Sequence, residues 1–267
     1  MRLISPFSSQ PIAPLLIYFP GMDGTGNLFH RQGVSLSNYF NIRCLSIPSH
    51  DQSDWENLVN KTVALIEKEL LSHPHSSVYL CGESFGGCLA IKVALAAPKL
   101  MEKMILVNPA SSFNKRPLLK WGVELNQWVP NFVYQSSTVV LLSFLGSLNR
   151  MKIGDTQALL KAMQSLPQEV VSWRLSLLRD FDVSGQELNN LKQPVFMLVS
   201  EQDKLLPSVE EGKQLVNYFP NSSLTILPKS GHACLLEKDV NLLEILQKHN
   251  FLSFSNLEKN KTLKKSY

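Results

Sequence analysis

The sequence predicts an α/β protein, a mostly parallel sheet flanked by helices, and three observations carry that expectation. Apolar runs of strand length alternate with segments of helical periodicity along the 267 residues, as they do where a parallel sheet is wrapped by helices. One of the runs ends in Gly82-Glu83-Ser84-Phe85-Gly86-Gly87 and passes into a helix of small residues. The rhythm stops once, from about Ser111 to Gln186, where the patterning is helical only.

The first strand is Leu15 to Phe19, closed by a loop with three glycines, Pro20-Gly21-Met22-Asp23-Gly24-Thr25-Gly26. Only 14 residues precede it, so antiparallel strands ahead of it are expected to be missing or vestigial. Ile42 to Ile47 is the next strand, closed by Pro48. Ser53, with Glu56 three residues on, reads as a capping box for a helix whose apolar face is Trp55, Leu58, Val59, Val63, Ile66 and Leu70. Ser77 to Cys81 is a buried strand, Cys88 to Ala97 a helix ended by Pro98, and Met104 to Val107 a strand followed by Asn108-Pro109-Ala110. After the helical stretch the alternation returns with a strand at Val195 to Ser200, a helix at Ser208 to Tyr218, a strand at Leu224 to Leu227 and a last helix from about Ala233 to Lys248. Residues 1–110 and 187–255 are thus expected to form one discontinuous core, 111–186 a helical cap, and 256–267 a Lys-rich tail.

Composition excludes several classes. With 44% apolar and 18% charged residues the chain is not a disordered polyelectrolyte. The net charge is +4, but the segment Asn256 to Tyr267 holds four lysines against Glu258 and so carries +3 of it. The other 255 residues carry +1, which supplies no basic groove for nucleic acid. The tail is read as a solvated end, with weak attraction to an anionic membrane surface as the sharper alternative. Cys44, Cys81, Cys88 and Cys234 have no C-x-x-C pair and no zinc spacing with histidine; they read as small buried hydrophobes, and no metal or cofactor is expected. The run from Ile12 to Phe19, broken by Pro14, is a poor signal peptide. The stretch Val139 to Leu148 is far shorter than the ~20 residues that span a bilayer. A cytoplasmic protein, or one peripheral to a membrane, is expected.

The chemistry is read from the glycine-serine junction. A strand, Gly82-x-Ser84-x-Gly86 and a helix make a nucleophile elbow: side chains at Gly82 and Gly86 would collide in so tight a turn, and the serine is lifted above the sheet edge. A serine hydroxyl needs a histidine base and an acid behind it, in the chain order Ser, then Asp or Glu, then His. Asp203 follows a buried strand and His232, in Ser230-Gly231-His232, follows the last one. Glu201 is the alternative acid. His30, His50, His73, His75 and His249 are less well placed along the chain. Two backbone N–H groups are expected to receive an oxyanion, that of Phe85, next to the nucleophile, and that of Met22 in the glycine loop. That loop has no Lys or Ser/Thr at Walker spacing and no G-x-G-x-x-G, so it is not read as a nucleotide cradle.

These residues resemble the α/β-hydrolases, and more narrowly the esterase/lipase domain of the phytyl ester synthase family of plants and its cyanobacterial relatives. The matching stretches are Phe19-Pro-Gly-Met-Asp-Gly-Thr-Gly26, Cys81-Gly-Glu-Ser-Phe-Gly-Gly-Cys-Leu-Ala90, Asn108-Pro-Ala-Ser-Ser-Phe113, Leu206-Pro-Ser-Val-Glu-Glu211 and Gly231-His-Ala-Cys-Leu-Leu-Glu237. The resemblance implies a Ser84, Asp203, His232 triad and an ester substrate with long hydrophobic chains. The plant proteins continue into an acyltransferase domain with no counterpart in these 267 residues, from which hydrolysis rather than ester synthesis is expected. Trp121, Trp128, Phe132 and Phe144 of the helical stretch suit a lid over acyl chains. The alternatives are a thioesterase, peptidase or acyltransferase on the same fold, or a non-catalytic binding module built on it.

Overall fold

The structure is a computed structural model that describes residues 1–8, 13–73, 75, 77–115 and 141–252. Among these, seven strands form one sheet: β1 (Arg2–Ile4), β2 (Leu15–Phe19), β3 (Asn41–Ser46), β4 (Val78–Glu83), β5 (Lys103–Val107), β6 (Val195–Ser200) and β7 (Ser222–Leu227). Their order across the sheet is β1-β3-β2-β4-β5-β6-β7. Every pairing is parallel except that of β1 with β3, whose register sets Arg2 opposite Ser46. The antiparallel lead-in to the sheet is therefore present in vestigial form, as one strand of three residues at its edge.

Consecutive side chains on a strand point to opposite faces, and both faces of this sheet are apolar. On β2, Leu15, Ile17 and Phe19 join one core cluster, while Leu16 and Tyr18 join the other. The first cluster is covered by α2 (Trp55–Ser72), α3 (Phe85–Ala96) and α7 (Ser208–Tyr218), the second by α1 (His30–Leu36) and α8 (Leu242–Lys248). Between β5 and β6 the described residues hold a helical stretch at 141–145, then α4 (Ile153–Gln164), α5 (Gln168–Arg179) and α6 (Gly185–Asn190). This inserted part shares the main core: Leu177, Leu178, Phe181 and Leu188 lie in the same cluster as Phe85 and Leu89. The Trp55 indole donates to the Leu177 carbonyl at 2.9 Å, and that of Trp173 to the Ser53 carbonyl at 3.1 Å.

Several boundaries shift by one to three residues from the sequence reading, and two helix starts are capped differently from it. The α2 cap is Asp54 and not Ser53: the Asp54 carboxylate accepts the Asn57 N–H at 2.8 Å, and Ser53 Oγ instead accepts from Lys61 at 2.9 Å. A carboxylate at a helix N-terminus satisfies the open N–H groups and is attracted to the positive end of the helix dipole as well. The last helix starts at Leu242, capped by Asn241, and not at Ala233. Cys234–Leu236 form only a 3₁₀ turn, because Cys234 and Leu235 pack into one core cluster and Leu236 into another, and Glu237 then pairs its backbone with Met151. The four cysteines are buried thiols, as expected. No helix among the described residues is long and apolar enough to cross a membrane. Trp121, Trp128, Phe132 and the segment 256–267 lie outside the described residues.

Candidate active site

In a parallel sheet the carboxyl ends of the strands share one edge, and loops leaving that edge converge. Ser84 sits there between β4 and α3 with φ 54° and ψ −117°. A Cβ on Gly82 would lie 2.4 Å from the Gly86 carbonyl oxygen, and one on Gly86 would lie 2.1 Å from that of Phe19. The strained serine is held by its backbone. Its N–H donates to the Val107 carbonyl at 3.0 Å, and its own carbonyl accepts from Gly87 at 2.9 Å and Ala110 at 3.1 Å.

His232 and Asp203 come to this serine from the loops after β7 and β6. His232 Nε2 is 2.9 Å from Ser84 Oγ, and its Nδ1 is 2.7 Å from Asp203 Oδ2. With the ring proton on Nδ1 facing the carboxylate, Nε2 accepts from the serine hydroxyl. Asp203 is anchored from behind, since Oδ1 accepts the N–H groups of Leu205 at 2.9 Å and Leu206 at 3.0 Å, and the Ser208 hydroxyl donates to Oδ2. Burial alone would push the carboxyl up, but His232 and these donors hold it below the usual range. Burial likewise works against a charged imidazole, and Asp203 and Glu83 outweigh it, so His232 titrates above an ordinary histidine. Glu201 is exposed and lies outside this chain of bonds. Of the other histidines, His30 pairs with Asp155, His73 and His75 with Glu69, and His249 with Thr225.

Asn108 braces the convergence. Buried and at φ 40°, it donates from Nδ2 to the His232 carbonyl at 2.7 Å and to Ser200 Oγ at 2.9 Å, while Oδ1 accepts the Ser200 N–H at 2.8 Å. Glu237, fully buried, accepts the Gly231 N–H at 2.8 Å and the Arg150 guanidinium at 2.7 Å. The loop carrying His232 is thereby tied both to the sheet and to the inserted segment.

The glycine loop lies against the elbow: a Cβ on Gly21 would be 3.9 Å from Ser84 Cβ. Its turn is closed by the Gly24 N–H donating to the Gly21 carbonyl at 3.1 Å, with Met22 and Asp23 between them. The Phe85 N–H is the first of α3, where a helix leaves its donors without intrahelical acceptors. Two further carboxyls stand close by. Asp23 is buried, which pushes its carboxyl up against the pull of Thr25 and Arg174. Burial pushes Glu83 up to about 7, against a hydrogen bond from the Tyr18 hydroxyl and the attraction of His232.

So Ser84, Asp203 and His232 come together, the elbow glycines Gly82 and Gly86 are packed as the motif demands, and Phe85 and Gly21, the residue before Met22, adjoin the serine. Phe144 lies in the inserted segment at 46% exposure, beside Leu145, whose carbonyl accepts the Ala233 N–H at 2.7 Å. Asn108, Glu237, Arg174 and the electrostatic part of Glu83 were not read from sequence. Glu83 was visible as a carboxylate inside the elbow motif, whereas the others depend on partners distant in the chain.

The comparisons with known proteins agree with this architecture. Residues 48–239 match the family described as serine aminopeptidase, S33. The sequence is 32% identical over 258 residues to phytyl ester synthase 1, chloroplastic, of Arabidopsis thaliana, an alignment covering 88% of this chain and 36% of that protein. The chain thus spans a little over a third of the length of that relative. It is 26% identical to the pimeloyl-[acyl-carrier protein] methyl ester esterase of Nitrosospira multiformis, covering 76% of this chain and 81% of that one. Among solved structures, a lipase-esterase related protein from Clostridium acetobutylicum superimposes with a TM-score of 0.73 at 19% identity, covering 94% of this chain and all of that one. The chain belongs to the serine aminopeptidase S33 family of α/β-hydrolases.

Proposed function

We propose that this hydrolase cleaves carboxylic esters of hydrophobic acyl chains through an acyl-enzyme on Ser84. The observation that carries the reading is the bonded chain from Ser84 Oγ to His232 at 2.9 Å and from His232 to Asp203 at 2.7 Å. Ser84 Oγ attacks the ester carbonyl carbon and passes its proton to His232 Nε2, while the ionised Asp203 stabilises the imidazolium. The carbonyl oxygen gathers negative charge and is met by the N–H groups of Met22 and Phe85, each such donor being worth about 3–4 kcal/mol. His232 returns the proton to the departing alkoxide, leaving the acyl group on Ser84. Water, deprotonated by His232, then attacks the acyl-enzyme and releases the acid.

The acyl preference is supported by the ester chemistry in the names of the relatives and by the aromatic and aliphatic content of residues 111–186, which we assign as a cap over the elbow. Each methylene that such a cap removes from water contributes up to about 0.8 kcal/mol. The test is fluorophosphonate labelling with a panel of p-nitrophenyl esters of rising chain length, on the natural chain and on Ser84→Ala. Labelling and turnover are expected to vanish together in Ser84→Ala, and kcat/KM is expected to climb from acetate towards longer chains. Undiminished turnover in the variant removes Ser84 as nucleophile. A flat or acetate-preferring profile removes the hydrophobic acyl assignment and favours a thioesterase or peptidase.

A further inference from the structure

The inserted helices reach the glycine loop through one buried cation. Arg174, on α5, is 2% exposed; its Nη1 donates to the Met22 carbonyl and its Nη2 to the Pro48 carbonyl at 3.1 Å. Pro48 follows β3, so the guanidinium ties the loop after β2 to the loop after β3. Space for it exists because residue 24 is glycine: φ there is +69°, and a Cβ would stand 2.8 Å from Nη1. The surrounding charge fits a cation, since Asp23 and Asp51 are its acidic neighbours and Asp23 is itself fixed by the N–H of Thr25 at 3.0 Å and by the Thr25 hydroxyl.

The consequence lies in peptide geometry. In a trans peptide the carbonyl and the N–H point in opposite directions. The Gly21 carbonyl, which shares its peptide plane with the Met22 N–H, is held by the Gly24 N–H at 3.1 Å. The next carbonyl, that of Met22, is held by Arg174. Both peptide planes flanking the Met22 Cα are thereby fixed, and so is the direction of the Met22 N–H. An isolated turn of two glycines and two other residues would not hold that aim by itself, because glycine leaves the backbone free to rotate.

We infer that Arg174 is a positioning residue: it does not touch the reacting atoms, but it fixes the glycine loop so that the Met22 N–H meets the oxyanion formed on Ser84. The inference rests on the reading of Ser84 and Met22 proposed above. It also gives the inserted segment a second task, framing the reaction centre as well as covering it. Lysine is a poor replacement, because a single ammonium lacks the planar fork that spans two carbonyls.

The experiment compares Arg174→Met and Arg174→Lys with the natural chain, all in full-length protein, with active sites counted by fluorophosphonate labelling so that only competent molecules are scored. In Arg174→Met, kcat per labelled site is expected to fall about 10–100-fold, as for a small misplacement of an oxyanion donor. KM is expected to stay within about threefold, the signature of an interaction made in the transition state. Affinity for a trifluoromethyl ketone, which builds a tetrahedral oxyanion on the serine, should fall with kcat, while affinity for an unreactive ether analogue of the substrate should not. Added guanidinium ion should restore part of the lost kcat. A merely structural role would lower the melting temperature and the number of labelled sites and leave kcat per site alone. If Arg174→Met fails to fold, Arg174→Lys decides: wild-type kcat per labelled site there, or a loss confined to KM, overturns the inference. Full turnover in Ser84→Ala would instead overturn the parent reading, whereas a Ser84-dependent enzyme indifferent to both Arg174 substitutions overturns this inference alone.

Discussion

Glu83 is the residue at which the fold and the chemistry pull against each other, and replacing it by glutamine should show both effects. Its carboxyl titrates at about 7, pushed up from 4.5 chiefly by burial. Each pH unit corresponds to about 1.4 kcal/mol, so the folded protein disfavours the ionised side chain by about 3 kcal/mol. The folded state keeps a proton that the unfolded state has released, so this group's contribution to stability falls as pH rises from 4.5 to about 7. Glutamine keeps an oxygen for the Tyr18 hydroxyl and removes the ionisation. Below pH 4.5 the variant and the natural protein should melt alike, and above about 7 the variant should melt higher, by roughly 6–12 °C for a chain of this size. Activity should respond differently. The Glu83 carboxylate helps to hold His232 above its ordinary value, and the base must be neutral to accept the serine proton. The acid limb of kcat/KM should therefore move to lower pH in the variant. Melting curves followed from pH 4 to 9 beside pH-rate profiles test the pair. Parallel stability curves with an unmoved acid limb would refute the reasoning.

Two substitutions probe the remaining anchors. Asp203→Asn should lower kcat by about 10³–10⁴-fold, because the amide neither stabilises the imidazolium nor holds the required tautomer, while Glu201→Gln should be nearly silent; the reverse pattern in steady-state kinetics would move the acid to Glu201. Glu237→Ala strands the Gly231 N–H and the Arg150 guanidinium, and should cost about 2–4 kcal/mol in urea unfolding. A kcat loss should accompany it through the loosened His232 loop, and an unchanged midpoint would show that the bridge carries no energy.

Much of this architecture was legible because it is encoded locally. The central strands are continuous apolar runs between turn residues, and the elbow is a five-residue motif whose glycines are demanded by contacts at 2.4 and 2.1 Å. The proposed triad was read from the chain order of three loops, whose side chains lie within hydrogen-bond distance of one another in the structure. What was not legible is encoded across distance. β1 is three residues long and exists through its register with β3, so no periodicity could announce it. The helix placed at Ala233 loses its first turns to Glu237, whose side chain is engaged by Gly231 and Arg150 and whose backbone is engaged by Met151. Arg174 sits on an amphipathic helix, where an arginine ordinarily reads as solvated surface. Its burial depends on carbonyls 126 and 152 residues away.

The same long-range bonds change how a cap on this core has to be tested. A lid that merely covers a finished site could be excised, leaving the triad intact and only the chain-length preference lost. Here the inserted stretch supplies Arg174 to the glycine loop and Arg150 to the Glu237 bridge behind His232. It also supplies Leu177, Leu178 and Phe181 to the central core. Cutting it out would expose apolar surface worth about 1.5–3 kcal/mol for each of those three side chains. It would also leave Asp23 and Glu237 without their cations, a heavy cost for buried carboxylates. Loss of activity after excision would therefore say nothing about acyl binding. The covering function has to be separated from the framing function one side chain at a time: Phe144, half exposed and one residue from a carbonyl that anchors the His232 loop, reports on the first, and Arg174 reports on the second.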